Sequence, residues 1–229
     1  MTVKSWAKKT PQNFKFTAKF PRVITHEKRL KYVHKELDQF FEAIGPLAEK
    51  TLALLIQLPP SMQIVEGLER LRELVLELDT RFRYAVEVKD RSWFQDLAFN
   101  FFANNGICLV WSQLAEIKTL PIATTDFLYL RLIGDRSIQE KDFGKIQIDR
   151  PREMRKWAKN ITNVGRERDQ VNLAIITAHN HYAGFGPGTV NMFRTMLDVP
   201  EAKWEEKEEE HETHTTPNLR QRTLTDFLS

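Results

Sequence analysis

The sequence predicts an α/β fold built on a mainly parallel sheet, and three observations support this prediction. Short apolar runs typical of strands alternate with segments whose apolar residues recur at helical spacing. Strands that alternate with helices form βα units, in which neighbouring strands run parallel. The chain has 229 residues, 41% of them hydrophobic, which suits one large domain.

Six strands are predicted in chain order, and they are Phe14–Phe20, Thr51–Leu58, Tyr84–Val88, Ile107–Trp111, Phe127–Leu132 and Leu173–Ala178. Helical spacing predicts helices over 30–44, 65–78, 92–104 and 150–163. Parallel strands buried on both faces fit either an open doubly wound sheet or a barrel. No glycine-rich phosphate loop follows a strand, which disfavours a dinucleotide-binding sheet or a P-loop enzyme.

Charge divides the chain into three regions. Residues 201–212 carry seven Glu and two Lys, and residues 213–229 carry two Arg and one Asp, so the net charge of +3 leaves +7 for residues 1–200. We therefore predict a basic domain over 1–200, a charged flexible linker over 201–217 and a terminal peptide over 218–229. A charged helix over 200–210 is the alternative for the linker. The basic domain suits a polyanionic partner such as nucleic acid or a phosphorylated ligand, although plain solubility explains the charge equally well.

The start of the chain and its cysteine content predict a cytoplasmic protein. Residues 1–9 are polar and charged and lack the apolar core of a signal peptide. The single cysteine, Cys108, lies in an apolar run and is expected to be a buried, inert thiol. No apolar run reaches the roughly 18 residues of a membrane span, so no membrane partner is expected.

Polar side chains at the strand ends predict a ligand site. The residues concerned are Lys19, Gln57, Glu87, Arg131, Asn180 and His181. The carboxyl ends of parallel strands meet on one face, where such folds bind ligands. These groups suit an anionic or sugar-like ligand, with Glu87 or His181 as the proton carrier. Ion pairs of Glu87 with Lys19 or Arg131 that merely fill the sheet end are the alternative.

Two histidines, His179 and His181, form an H-x-H pattern that can present two ligands to a metal. The sequence shows no clear third and fourth ligand, although Glu87 could contribute, so we predict no metal site and assign no cofactor.

Six blocks of sequence resemble a known family. They are F-K-F-T-A-K-F-P-R-V-I-T-H-E-K-R-L (Phe14–Leu30), L-L-I-Q-L-P-P-S (Leu54–Ser61), A-V-E-V-K-D-R-S-W-F (Ala85–Phe94), C-L-V-W (Cys108–Trp111), T-T-D-F-L-Y-L-R-L-I-G (Thr124–Gly134) and N-H-Y-A-G-F-G-P (Asn180–Pro187). Their order resembles that of the YecE-like family, known as domain of unknown function 72.

The resemblance implies a TIM-type barrel and supplies no catalytic assignment. It places Lys19, Gln57, Glu87, Trp111, Arg131, Asn180 and His181 in the family's motifs, which adds Trp111 to the ligand-binding candidates. Family members begin with a G-T-S-G-W-type strand and an E-I-N-S-S-F-Y-type strand, and this sequence starts after both. We therefore expect an incomplete barrel, with six of the eight strands, followed by a disordered C-terminal tail.

The final residues resemble a docking peptide for the DNA sliding clamp. Gln221, Leu224, Phe227 and Leu228 form the Q-x-x-L-x-x-F-L pattern of the PIP box, by which replication and repair proteins bind PCNA. One helical turn places Leu224 and Phe227 on one side, where they can fill an apolar groove. A terminal helix that packs onto the protein's own body is the alternative.

Three functions follow from the sequence. The first is an enzyme acting on nucleic acid or a phosphorylated substrate, recruited by the sliding clamp. The second is a non-catalytic module that binds nucleic acid or acts as an adaptor. The third is a small-molecule enzyme whose tail is incidental. The basic body and the tail favour the first two, and the expected loss of two strands favours the second over the first.

Overall fold

The structure is a computed structural model that describes residues 2–114, 117 and 119–203. It has seven strands, which are β1 (Phe16–Lys19), β2 (Thr51–Gln57), β3 (Tyr84–Glu87), β4 (Ile107–Leu109), β5 (Trp111–Leu114), β6 (Phe127–Gly134) and β7 (Leu173–Ala178). The α-helices are α1 (Val3–Lys9), α2 (His34–Ile44), α3 (Ile64–Val75), α4 (Asp96–Asn104), α5 (Pro151–Glu167), α6 (Asn180–Ala183) and α7 (Gly186–Met196). A π-helical turn occupies Val23–Glu27, and 3₁₀ turns occupy Gly45–Lys50, Arg91–Trp93 and Glu140–Asp142.

All strand pairs are parallel and follow chain order in two sheets. The first sheet has the order β1-β2-β3-β4 and the second has the order β5-β6-β7. One run of chain joins them, because Val110 still donates its N–H to Val86 O while Trp111 begins the pairing with β6. The parallel α/β class predicted from the sequence is therefore confirmed.

The strands have two apolar faces, as parallel strands covered on both sides require. The outward residues of β6, Leu128, Leu130 and Leu132, pack with Trp157 of α5 in one core cluster. The inward residue Tyr129 packs in a second cluster with residues of β2, β3, β4 and β7. The Tyr129 hydroxyl lies 3.2 Å from Thr17 Oγ1 of β1, so this inner cluster spans the space between the two sheets.

Several elements differ from the predictions. The single strand predicted over 107–111 is divided between the two sheets. The helix predicted over 92–104 begins only at Asp96, after a 3₁₀ turn, and α1 and α7 were not predicted. Within residues 2–114 and 119–203, β1 pairs only with β2 and β7 only with β6, so a closed barrel is not formed by this part of the chain.

The structure describes the predicted buried cysteine but not the predicted C-terminal peptide. Cys108 is buried and burial raises the pKa of its thiol, in agreement with an inert cysteine. The predicted terminal peptide over 218–229 and the linker beyond Lys203 lie outside the described residues. Among the described helices, none is long and apolar enough to cross a membrane.

Candidate functional site

An open cleft of about 440 Å³ lies at the carboxyl ends of the strands. Its described lining residues are Lys19, Gln57, Pro60, Lys89, Leu114, Ile117, Arg131, Ile133, Gly134, Asp135, Arg136, His179 and His181. The structure therefore brings together Lys19, Gln57, Arg131 and His181 from four different strands or strand ends. The volume of the cleft lies within the range of small-molecule binding sites.

The Glu87 carboxylate lies beneath the cleft and is completely buried. Oε2 accepts hydrogen bonds from Gln57 Nε2 and Arg131 Nη1, and Oε1 accepts one from Ser112 Oγ at 3.0 Å. A buried carboxylate is tolerated when a cation and further donors satisfy its lone pairs. Glu87 thus fixes the Arg131 guanidinium at the floor of the cleft, while Arg131 itself remains partly exposed to it.

Three further cations of the cleft have no bound counter-charge in the described residues. The side chains of Lys19, Lys89 and Arg136 make no salt bridge and no hydrogen bond to a described residue. Burial is the main cause that lowers the pKa of both Lys19 and Lys89, and Arg131 lowers both further. The only described carboxylate of the lining, Asp135, is paired with Arg150. An anionic ligand would relieve this excess of positive charge.

His179 and His181 lie stacked on one side of the cleft, with ring centroids 4.9 Å apart and planes 9° apart. His181 Nδ1 lies 3.0 Å from Ile138 O, and a carbonyl only accepts, so Nδ1 carries the hydrogen and Nε2 is left as the basic atom. His179 Nδ1 accepts from the His181 backbone N–H. Burial, followed by His181 and Arg131, lowers the pKa of His179.

The chain after β1 approaches the same cations. Burial lowers the pKa of His26 in the π-helical turn, and the charges of Arg22, Lys89 and Lys19 lower it further. Arg29, Leu30 and Tyr32 then adopt positive φ, a conformation that costs free energy in residues other than glycine. Arg29 is held there by two hydrogen bonds to the Glu66 carboxylate.

Trp111 and Asn180 are not among the described residues that line the cleft, and neither is Glu87, which lies beneath it. Trp111 is fully buried against Trp157, and its indole N–H donates to Ile122 O. Asn180 Oδ1 accepts the backbone N–H of Gly186 at 2.8 Å, which connects α6 to the start of α7. Both side chains thus have structural contacts that the sequence pattern did not reveal.

Two cleft residues were missed as site candidates, although a signal existed for each. Lys89 follows Glu87 by two residues, and a period of two places both on the same side of an extended chain. Arg136 lies just beyond Gly134, where β6 ends. In the described residues, no group of three or more His, Cys, Asp and Glu could hold a metal ion.

Parallel strands with a cationic cleft at their carboxyl ends define an α/β protein. The chain belongs to the family described as protein of unknown function DUF72, whose sequence model matches residues 1–214. This assignment confirms the family resemblance drawn from the six motifs.

Known relatives agree with the family. The UPF0759 protein YecE of Escherichia coli K12 is 30% identical over 89 residues, which are 39% of this chain and 32% of that protein. The aligned segment thus spans about a third of the relative's length. A DUF72 family crystal structure from Thermotoga maritima has 26% identity and a TM-score of 0.67, covering 86% of this chain and 80% of that chain. A DUF72 family crystal structure from Enterococcus faecalis has 18% identity and a TM-score of 0.70, covering 90% of this chain and 82% of that chain. At this low identity the match supports the fold alone.

Proposed function

We propose that the cleft binds a phosphorylated ligand. The observation that carries this proposal is a set of three cations, Lys19, Lys89 and Arg136, which lie in the cleft with Arg131 and form no ion pair with any described residue. A phosphate group offers several strong acceptor oxygens and enough negative charge to balance such a cluster. The buried pair of Glu87 and Arg131 supports it further, because a fixed guanidinium can bind two phosphate oxygens at once.

Inorganic phosphate and pyrophosphate are the probes that test this proposal. Calorimetric titration of the full chain should give saturable binding. Lys89→Gln should weaken the affinity about tenfold, because the variant loses one charge-assisted hydrogen bond to the phosphate. Lys35→Gln on the exposed surface of α2 changes the net charge equally and is the matched control. Equal loss in both variants, or no binding at millimolar phosphate, would contradict the proposal.

For catalysis we propose that His181 carries the proton and that Glu87 positions Arg131. The basic Nε2 of His181 is the atom that its hydrogen bond to Ile138 leaves free. Glu87 is instead occupied by three donors and has no exposed surface. Under this proposal Gln57 and Lys19 bind the ligand with Arg131, and Trp111 and Asn180 support the surrounding elements. An adaptor that binds the ligand without a reaction would use the same cations.

Recruitment to a sliding clamp is a separate proposal that rests on the sequence pattern of Gln221, Leu224, Phe227 and Leu228. A peptide that orders on binding is expected to have micromolar affinity, with the buried aromatic Phe227 contributing most. Calorimetry with a 219–229 peptide and the clamp of the host should detect this binding. Leu224→Ala with Phe227→Ala should abolish it, whereas Thr223→Ala with Thr225→Ala, between the motif positions, should not. Equal binding by both double variants would contradict recruitment.

A further inference from the structure

The exposed side of α5 carries a row of cations that is separate from the cleft. The row consists of Arg152, Arg155, Lys156, Lys159 and Arg166, all exposed, and we call it the α5 ridge. At 100° per residue these positions fall within an arc of about 100°, and at 1.5 Å per residue they extend over about 21 Å. The two glutamates of the helix, Glu153 and Glu167, lie outside that arc.

The charges of the α5 ridge have no counter-ion among the residues that the structure describes. None of its five side chains makes a salt bridge or hydrogen bond to a described residue. The exposed surface of α3 differs, because Glu69 and Glu73 there alternate with Arg72. Ordinary solvated helices mix both signs in this way, so a surface of one sign indicates a partner of opposite charge.

The helix beneath the ridge is firmly held, which gives the row of cations a fixed geometry. Met154, Trp157 and Ala158 are buried on the opposite side of α5. The Trp157 indole N–H donates to Gln113 Oε1 of β5 at 2.5 Å. Arg150, which precedes the helix, is paired with Asp135 of the cleft lining, so the start of α5 is anchored to the rim of the cleft.

We propose that the α5 ridge binds the phosphate backbone of a DNA duplex. A straight helix with cations along one side suits the regular row of phosphates and fits the wide groove of B-form DNA, whereas the deep groove of A-form RNA excludes it. A membrane is disfavoured, because a surface-bound amphipathic helix inserts an apolar side, and the apolar side of α5 is buried against the sheet. Within Pro151–Glu167 no large apolar side chain is exposed.

The salt dependence of DNA binding tests the ridge quantitatively. Anisotropy of a labelled duplex of mixed sequence, titrated with the full chain between 50 and 200 mM NaCl, gives the slope of log K against log salt. Each phosphate contact contributes about 0.9 to that slope, so Arg155→Gln with Lys156→Gln should reduce it by about 2 and weaken binding about tenfold or more. Lys8→Gln with Lys9→Gln on α1 removes the same charge elsewhere and should change both quantities less.

Four outcomes would overturn the proposal: no duplex binding at 50 mM NaCl, an equal effect of the α1 variant, tighter binding of an RNA duplex than of DNA, or ridge-dependent binding to phosphatidylserine vesicles without DNA binding. The proposal does not depend on the cleft. Phosphate binding by the cleft should be unchanged in the ridge variant, and Lys89→Gln should leave the salt slope nearly unchanged, so either proposal can fail alone.

Discussion

At the scale of single residues, the cleft depends on one buried charge. Glu87 is an acid with no solvent exposure, and it is tolerated because Gln57, Ser112 and Arg131 donate to its two oxygens. Removing one member of such a pair leaves the other charge without compensation, which costs more than the pair itself contributes. Glu87 therefore contributes both to the stability of the fold and to the position of Arg131 in the cleft.

Glu87→Gln should destabilise the protein by about 3 kcal/mol, because Arg131 loses its counter-ion in a partly buried position. Urea unfolding of the variant and the wild type measures the difference. Glu73→Gln on α3 makes the same change at an exposed position, where the side chain pairs with no described residue, and should cost close to nothing. If the two variants are equally stable, Glu87 does not hold Arg131 as we describe.

The stability of the protein should fall on mild acidification partly because of His179. Burial lowers the native pKa of His179 below its ordinary value near 6.5. As the pH falls from 6.5 towards that lowered pKa, the unfolded chain takes up a proton that the native protein does not, so the free energy of unfolding decreases. Urea unfolding at pH 7.5 and 5.5 should show a smaller decrease for His179→Gln than for the wild type.

His34 gives the control for this pH effect. Glu77 and Asp38 raise the pKa of His34, so its native state is the one that binds the extra proton. Its contribution to stability is present below pH 6.5 and is lost as the pH rises through the raised pKa. His34→Gln should therefore change the pH dependence in the opposite direction from His179→Gln. A change of the same sign in both variants would contradict the assignment.

At the scale of elements, two glycines in helices illustrate how packing overrides propensity. A Cβ on Gly67 of α3 would lie 2.1 Å from the ring of the buried Trp93. Gly67→Ala should thus destabilise the protein by about 2 kcal/mol, even though alanine is the better helix former by about 1 kcal/mol. A Cβ on Gly165 of α5 meets nothing within 4 Å, so Gly165→Ala should stabilise by up to about 1 kcal/mol. Thermal or urea unfolding of both variants measures whether each substitution raises or lowers the free energy of unfolding.

The elements also show what the sequence could predict. Period-two alternation explains the positions of Lys19 and Arg131, because their neighbours Phe20 and Leu132 point to the other face of each strand and pack in the apolar clusters. The sequence pattern does not reveal α7, because the first residues of this helix, Gly-Pro-Gly, have poor helix propensity. The helix is instead held by packing of Thr189 and Phe193. Trp111 could not be assigned to a face from its own run, because all of 107–111 is apolar.

Some cleft residues depend on contacts distant in sequence. The hydrogen bonds of His181 to Ile138 and of Glu87 to Ser112 join separate βα units, and no local pattern indicates them. The charge of the α5 ridge is visible in the sequence, whereas the packed structure is needed to show that no described acidic side chain pairs with it. The sequence therefore predicts which polar residues stand at the strand ends. It does not predict which of them bind one another and which face the cleft.

At the scale of the whole molecule, β1 and β7 are the first and last of the described strands and each lies at the end of its sheet. In the described part of the chain, the outer edges of β1 and β7 pair with no strand, and an apolar groove between β7 and α7 is lined by Ala174, Ile176, Phe193 and Leu197. Unpaired parallel strands next to apolar surface favour association with other chains. Phe14, two residues before the start of β1, is 48% exposed, and its ring centroid lies 4.9 Å from that of Phe16.

We expect the purified chain to self-associate with increasing concentration, because pairing of these edges satisfies backbone groups and buries apolar surface. Sedimentation velocity between about 5 and 500 μM should show a rising average sedimentation coefficient. Phe14→Lys places a charge beside β1 and should weaken the association, since edge lysines oppose strand pairing. Leu76→Lys, at an apolar position that is 87% exposed beyond α3, is the matched control and should have little effect. A single monomeric species at all concentrations, or equal effects of both lysines, would show that the edges do not drive association.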